Sequence, residues 1–401
     1  MKLIFENWRR FVSLHEAIMQ EPIRKPLDLP VPDDLTKIYK LMKQSGKQLY
    51  IVGGAVRDTI LGKTPKDYDL ATDAKPEEVM EVLRSDQGLK IDLTGKMFGV
   101  VRVWTPEGNE YEIATFRKDI GKGRRPDSVE FTTIEQDVTR RDLTINALFY
   151  DMDTGEVVDY VGGLADLTSG VVRAVGDPAE RFDEDKLRIL RALRFAARMD
   201  SELDAETKQA ILNDNDLWSD PDMSGERITD EFVKGIKSAV RPEYYMGLVK
   251  ETGLFPQIFR GLNVDPSRAV ASNSVPVQLA FVLNGNDPKR LTKALDKMRY
   301  DRRTVDVVKF LLTLSGIDHT TATNLKKEFK RIGSPSGVVE EFATHGALPG
   351  NISSAFLEFA TSPPAANPQE LMAQGLKGPD IGRAMAAAEQ QAYMALTGDS
   401  Q

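Results

Sequence analysis

The hydrophobic positions change rhythm along this chain. Between residues 47 and 115 they come in short runs, at 47–52, 90–93, 98–104 and 109–115, separated by Gly and Pro turns, and these read as strands. Between them, 33–45, 55–61 and 76–85 read as helices, the last opening on Pro76 with an acidic first turn. Such alternation points to a small mixed sheet with helices on one side. Residues 136–150, containing RRDLTINALFY, read as a basic start running into an apolar helix, and 160–167 with 171–175 close this region. Residues 177–199 read as one long helix with leucine, isoleucine and alanine on its buried side. The first twenty residues read as an amphipathic helix, because Glu6, Arg9 and Arg10 interrupt their apolar positions, and Pro22, Pro26, Pro30 and Pro32 mark a linker.

Length and composition narrow the class. The 401 residues suffice for two to four domains, and 41% hydrophobic with 28% charged residues describes an ordinary globular protein. No apolar run approaches a membrane span. With no cysteine, disulfides and thiolate metal sites are excluded and the cytoplasm is the simplest compartment. The net charge of −8 argues against indiscriminate nucleic-acid binding but leaves room for a local basic surface. Such a surface lies at 287–331, where twelve Lys and Arg face six acids; Arg302, Arg303, Lys326 and Lys327 are candidates for tracking RNA phosphates. The three histidines stand near no motif.

The densest chemistry lies at 50–70. The apolar Tyr50, Ile51 and Val52 lead into Gly53-Gly54, where the missing Cβ atoms let the backbone approach something bulky. Arg57 and Asp58 follow in the first helical turn, and Asp67-Tyr68-Asp69 come after a turn at Thr64-Pro65. If 67–70 is a strand, alternation puts both carboxylates on one face and Tyr68 on the other. Two adjacent carboxylates repel unless a cation lies between them, and hard oxygen ligands with open positions suit Mg²⁺, which shares its shell with substrate phosphates. The pattern reads as a metal–nucleotide site. Gly53, Gly54 and Arg57 face a triphosphate, and Asp67 and Asp69 hold metal for in-line nucleotidyl transfer. Asn146 lies one turn beyond Asp142, on nearly the same face of the expected helix. Asp185, Arg188, Arg191 and Arg194 follow one another at every third residue, so Asp185 and Arg188 can act together while Arg194 drifts round the helix.

GGAVRD at 53–58, LG at 61–62 and DYD at 67–69 resemble the first motif of the class II tRNA nucleotidyltransferases and bacterial poly(A) polymerases, in the DNA polymerase β superfamily. RRDLTINA at 140–147 is similar to the same family, as is the E-D-x-x-R pattern of Glu184, Asp185 and Arg188. The resemblance is strong over 48–260 and weaker in the helical remainder. It implies an α+β protein: a polymerase-β-like head with a small mixed or antiparallel sheet, then an all-helical neck, body and tail. The expected bounds are a leader at 1–32, head at 33–177, neck at 178–260, and body and tail at 261–401. It also implies that Arg141 contacts the nucleotide and that Asp185 and Arg188 form a protein template for the base, with Arg191 and Arg194 on the same nucleotide-binding helix. A third carboxylate is expected, with Glu112 and Asp142 competing for the role. Residues 118–126, basic and glycine-rich, correspond to a flexible loop that influences nucleotide addition.

The activity so implied is addition of CCA from CTP and ATP to tRNA 3′ ends, dependent on Mg²⁺, with no obligate protein partner. The rivals are a poly(A) polymerase, a CC- or A-adding specialist, and a non-catalytic RNA-binding protein. The chain lacks the long basic C-terminal extension expected of the first, retains the 118–126 loop against a CC-only enzyme, and keeps Asp67 and Asp69 against the last.

Overall fold

The computed structural model describes residues 21–120 and 128–398, and the chain divides into compact units between Met223 and Ser224. The division falls inside the stretch that the sequence reads as neck. The amphipathic leader helix at 1–20 lies outside the described residues, as does the 121–126 part of the expected loop.

The first unit is built on an eight-stranded sheet. In chain order its elements are β1 (Ile23–Pro26), α1 (Asp33–Gln44), β2 (Leu49–Val52), α2 (Gly54–Ile60), β3 (Asp69–Thr72), α3 (Pro76–Leu83), β4 (Lys90–Asp92), β5 (Val100–Trp104) and β6 (Glu110–Thr115). A hairpin of β7 (Arg117–Ile120) and β8 (Ser128–Phe131) follows, then α4 (Ile134–Thr139), β9 (Phe149–Asp151), β10 (Glu156–Asp159) and α5 (Gly163–Ser169). The strand order is β1-β10-β9-β2-β3-β6-β5-β4, with β3 parallel to β6 and the other neighbours antiparallel.

Ile51, Leu70, Val101, Val103 and Ile113 are buried in the sheet, and α1 and α3 cover it with Leu35, Ile38, Met42, Val79 and Leu83. These helices show the 3.6-residue spacing of one apolar face. A second cluster, with Val52, Ala71, Phe116, Ile134, Val138 and Phe149 among its members, joins the sheet to α4.

Four local readings are corrected. The proline-rich segment contributes β1, which pairs with β10 at the sheet edge; an edge strand tolerates Pro26 because one side of its ladder needs no donor. Lys118–Ile120 are paired strand residues rather than loop. The strand carrying the DYD motif begins only at Asp69, leaving Asp67 in the loop before it. RRDLTINALFY does not form a helix: a 3-10 turn at Thr144–Asn146 leads into β9.

A fifth correction concerns 177–199. This stretch is two helices, α6 (Pro178–Glu184) and α7 (Leu187–Met199), broken where Asp185 adopts extended backbone at φ −153° and ψ 106°. Asp177 caps α6 by accepting from the amides of Ala179 and Glu180.

The second unit is helical, from Gly225–Ser238 to Pro379–Thr397. Its core gathers Phe310, Phe329 and Phe356 in edge-on and tilted contacts, with Phe359 tilted against Tyr393. Among the described residues no helix is long and apolar enough to cross a membrane.

Candidate active site

The chain leaves β2 through Gly53, whose φ of +68° is open to glycine and strained for other residues. This turn starts α2 directly behind the strand and sends Arg57 inward. Arg57 is 3% exposed; it donates to Asp58 Oδ1 at 2.7 Å and to the Asn146 side-chain oxygen. Burial pulls its pKa down, opposed by Asp58 and assisted by Arg198 and Arg194. Arg57 thus lies beside the glycine turn and braces Asn146. Arg194 is likewise buried, with its guanidinium 4.3 Å from the centre of the Phe195 ring.

Parallel pairing of β3 with β6 puts Asp69 opposite Glu112. Asp69 is open to solvent although protein surrounds it on most sides, and this desolvation is the main cause that raises its carboxyl pKa. Glu112 and Asp67 push it further up, while Arg141 pulls it back. Tyr68 points away and donates to the Pro30 carbonyl at 2.5 Å, so Asp67 and Asp69 flank an anchored residue.

Glu112 is held by Arg102 at 2.9 Å. Among the described residues no three His, Cys, Asp or Glu side chains are already gathered as a metal cage. Asp67 and Asp69 nevertheless fit a hard dication that keeps waters and shares its shell with phosphates: their donors are all oxygen, and their charges are close enough to disfavour ionisation of Asp69.

Asp142, the other candidate third carboxylate, faces elsewhere. It accepts from Arg191 Nη2 at 2.6 Å, from Asn146 at 3.3 Å and from the Leu143 amide at 2.8 Å. Burial alone raises its pKa; Arg191, Asn146 and Arg188 outweigh it, and the carboxyl ends below its ordinary value.

Arg140 and Arg141 share Asp137, at 2.7 and 2.9 Å, and Arg141 lies 4.6 Å from the centre of Phe149. The turn at Thr144–Asn146 is fastened by Thr144 donating to Asp166 at 2.7 Å. It sits so close to α5 that a Cβ on Gly163 would meet the Thr144 carbonyl oxygen at 2.3 Å.

The break at Asp185 brings the head of α7 to this loop. Arg188 pairs with Glu184 at 2.6 Å and donates to the carbonyls of Arg140 at 2.9 Å and Arg181 at 3.3 Å. Asp185 accepts from the Leu187 amide at 3.0 Å. Glu184, four residues before Arg188, is thus a carboxylate partner of its guanidinium, as that spacing allows.

Sequence reasoning missed Glu184 as the holder of Arg188 and Asp58 as the link from Arg57 to Arg198. The i,i+4 spacing of Glu184 and Arg188 was the available signal.

The chain is similar to proteins of known family. The poly A polymerase head domain matches residues 49–173. A CCA-adding enzyme of Lactobacillus johnsonii is 36% identical over 294 residues, covering 69% of this chain and 71% of that protein. The chain belongs to the CCA-adding enzyme family. A Bacillus licheniformis member is 40% identical over 238 residues, a match spanning 59% of this chain and 57% of that protein. The crystal structure of the Bacillus stearothermophilus CCA-adding enzyme in complex with CTP superposes with a TM-score of 0.69 at 27% identity, covering 91% of this chain and 93% of that one. A Thermotoga maritima CCA-adding enzyme, solved with tRNA, shares the fold at 21% identity and a TM-score of 0.67. Membership in this nucleotidyltransferase family implies a divalent metal.

One RNA-contact expectation is corrected by the helical unit. Lys326 is 4% exposed; its ammonium group binds Glu389 at 2.8 Å and lies 4.4 Å from the centre of Phe359. Arg302, Arg303 and Lys327 are exposed.

Proposed function

We propose that this protein adds CCA to tRNA 3′ ends from CTP and ATP by Mg²⁺-dependent, template-free nucleotidyl transfer in the cytoplasm. The observation that carries the reading is the register of Asp69 against Glu112, with Asp67 and Arg141 acting on the same carboxyl, in a chain of the CCA-adding family. Asp67 and Asp69 hold the dication, with Glu112 as the third carboxylate. When bound, the metal lowers the pKa of the RNA 3′-hydroxyl and neutralises charge on the α-phosphate and departing pyrophosphate.

The chain's own residues supply position. The backbone at Gly53-Gly54 admits the phosphates, and Arg141 offers them positive charge. Asp142 orients Arg191 and Asn146 rather than binding metal. Asp185 and Arg188, on and just after the break between α6 and α7, read the base. Positioning and electrostatics suffice, without a covalent intermediate.

The test is transfer of CMP and AMP to a tRNA transcript lacking its terminal CCA, with tRNA affinity measured alongside. Asp67→Asn and Asp69→Asn each keep side-chain size and remove charge. Each lowers turnover by orders of magnitude with little change in tRNA binding. Near-normal turnover in either variant overturns the metal assignment.

A further inference from the structure

Helix α7 carries an aromatic side chain that the chemistry above does not use. Phe195 is 4% exposed, and four guanidinium groups surround its ring. Arg194 lies 4.3 Å from the ring centre, Arg57 4.8 Å, Arg191 5.7 Å and Arg198 6.0 Å. Arg191 and Arg198 stand four residues before and three after Phe195, so the three share a face of α7. Arg57 reaches the same ring from α2. An aromatic ring attracts cations to its faces, and the attraction strengthens where water is excluded.

Four cations around one ring also repel each other, and two carboxylates offset this. Asp58 accepts from Arg57 through one oxygen at 2.7 Å and from Arg198 through the other at 3.0 Å. Asp142 accepts from Arg191 at 2.6 Å and from Asn146 at 3.3 Å, and Asn146 in turn accepts from Arg57. The contacts close into a circuit that runs from α2 through the Asp142 loop to α7 and back, with the Phe195 ring at its centre.

We propose that Phe195 is a positioning residue for nucleotide selection. Its ring fixes the register of α7 against α2 and the Asp142 loop. That register sets where Asp185 and Arg188, at the head of α7, meet the base. The inference rests on the nucleotidyl-transfer reading above. A residue acting in this way governs nucleotide affinity and base choice, and leaves tRNA binding alone.

Phe195→Leu keeps apolar bulk and removes the ring; Phe195→Tyr keeps the ring. The experiment measures kcat and KM for CTP and ATP, KM for tRNA, UTP misincorporation and melting temperature in both variants. Phe195→Leu raises KM for CTP and ATP by roughly tenfold and raises UTP misincorporation, with KM for tRNA unchanged. Phe195→Tyr stays close to wild type. Asp58→Asn, which weakens the Arg57 and Arg198 contacts at a partly exposed site, shifts the same parameters in the same direction and decides the matter if Phe195→Leu does not fold. Wild-type KM and base choice in a folded Phe195→Leu, or in Asp58→Asn where Phe195→Leu does not fold, overturn the proposal. So does an equal loss in Leu and Tyr that follows melting temperature alone. A wild-type protein that transfers neither CMP nor AMP overturns the underlying reading instead.

Discussion

Asp69 and Glu112 stand directly opposite each other on parallel strands, with no residue between them in the register. Both carboxylates belong to a sheet whose neighbouring strands run antiparallel, so this junction brings two chain-distant acids to one level. Glu112 is neutralised in part by Arg102 at 2.9 Å, whereas Asp69 has Asp67 two residues away and is held above its ordinary pKa. The Asp69 carboxyl is thus harder to ionise than a free one, and a bound cation would favour its charged form.

That resistance predicts a pH-dependent stability. A carboxyl whose pKa is raised on folding contributes stability in full below its unfolded value, here about 3.8, and loses it as pH rises through the folded value. At pH 7 without metal the Asp69 charge therefore opposes folding. Asp69→Asn melts higher than wild type at pH 7 in a chelator, and the gap closes as pH falls below about 4. Adding Mg²⁺ raises the melting temperature of the wild type and not of the variant. An equal response of both to Mg²⁺ contradicts a metal site at Asp69.

The proposed reading of the base puts its selection at the head of α7. Cytosine and adenine present an amine donor beside a ring-nitrogen acceptor, matching an Asp acceptor and an Arg donor; uracil and guanine present a carbonyl and a ring N–H. A buried mismatch of this kind costs about 1–3 kcal/mol, hence roughly tenfold to several hundredfold per mismatch. Asp185→Ala and Arg188→Ala relax discrimination against UTP and GTP while remaining folded. Glu184→Gln, which loosens the 2.6 Å pairing that orients Arg188, does the same more weakly. Incorporation of all four nucleotides by the three variants checks this, and full retention of CTP and ATP preference places the base elsewhere.

The helical unit separates two kinds of lysine. Replacing exposed Arg302, Arg303 and Lys327 together with Ser weakens tRNA binding. It also makes the slope of log affinity against log salt shallower by about 0.7–0.9 for each phosphate that is no longer neutralised. Lys326→Ala leaves the salt slope unchanged and destabilises the unit, because Glu389 is left buried without its partner, at a cost of about 3–5 kcal/mol. Titration at two salt concentrations with a melt of each variant distinguishes them.

Elements with a clear rhythm were legible in the sequence. The helix at Asp33–Gln44 and the strands at Val100–Trp104 and Glu110–Thr115 fall within a few residues of their expected bounds. The failures share a cause. Residues 143–150 are buried on every side, so their apolar run carries no period by which to tell a helix from a turn and strand. The break at Asp185 interrupts an otherwise unbroken helical pattern, and its extended backbone leaves no mark in spacing. Lys326 sits in a basic stretch, while its partner Glu389 lies 63 residues further on. The motifs that hold Asp67, Asp69 and Arg141 were legible because they are local. The contact of Arg57 with Asn146 was not, since the two residues lie 89 apart in the chain.

Addition of CCA itself is tested by sequencing the 3′ ends of tRNA transcripts after incubation with the protein, Mg²⁺ and all four nucleotides. The transcripts lack all three terminal nucleotides, the last two, or the last alone. A CCA-adding activity extends every transcript to CCA and stops there, without U or G. A poly(A) tail, a stop after CC, addition of A only to the transcript that lacks it, or no extension at all contradicts it.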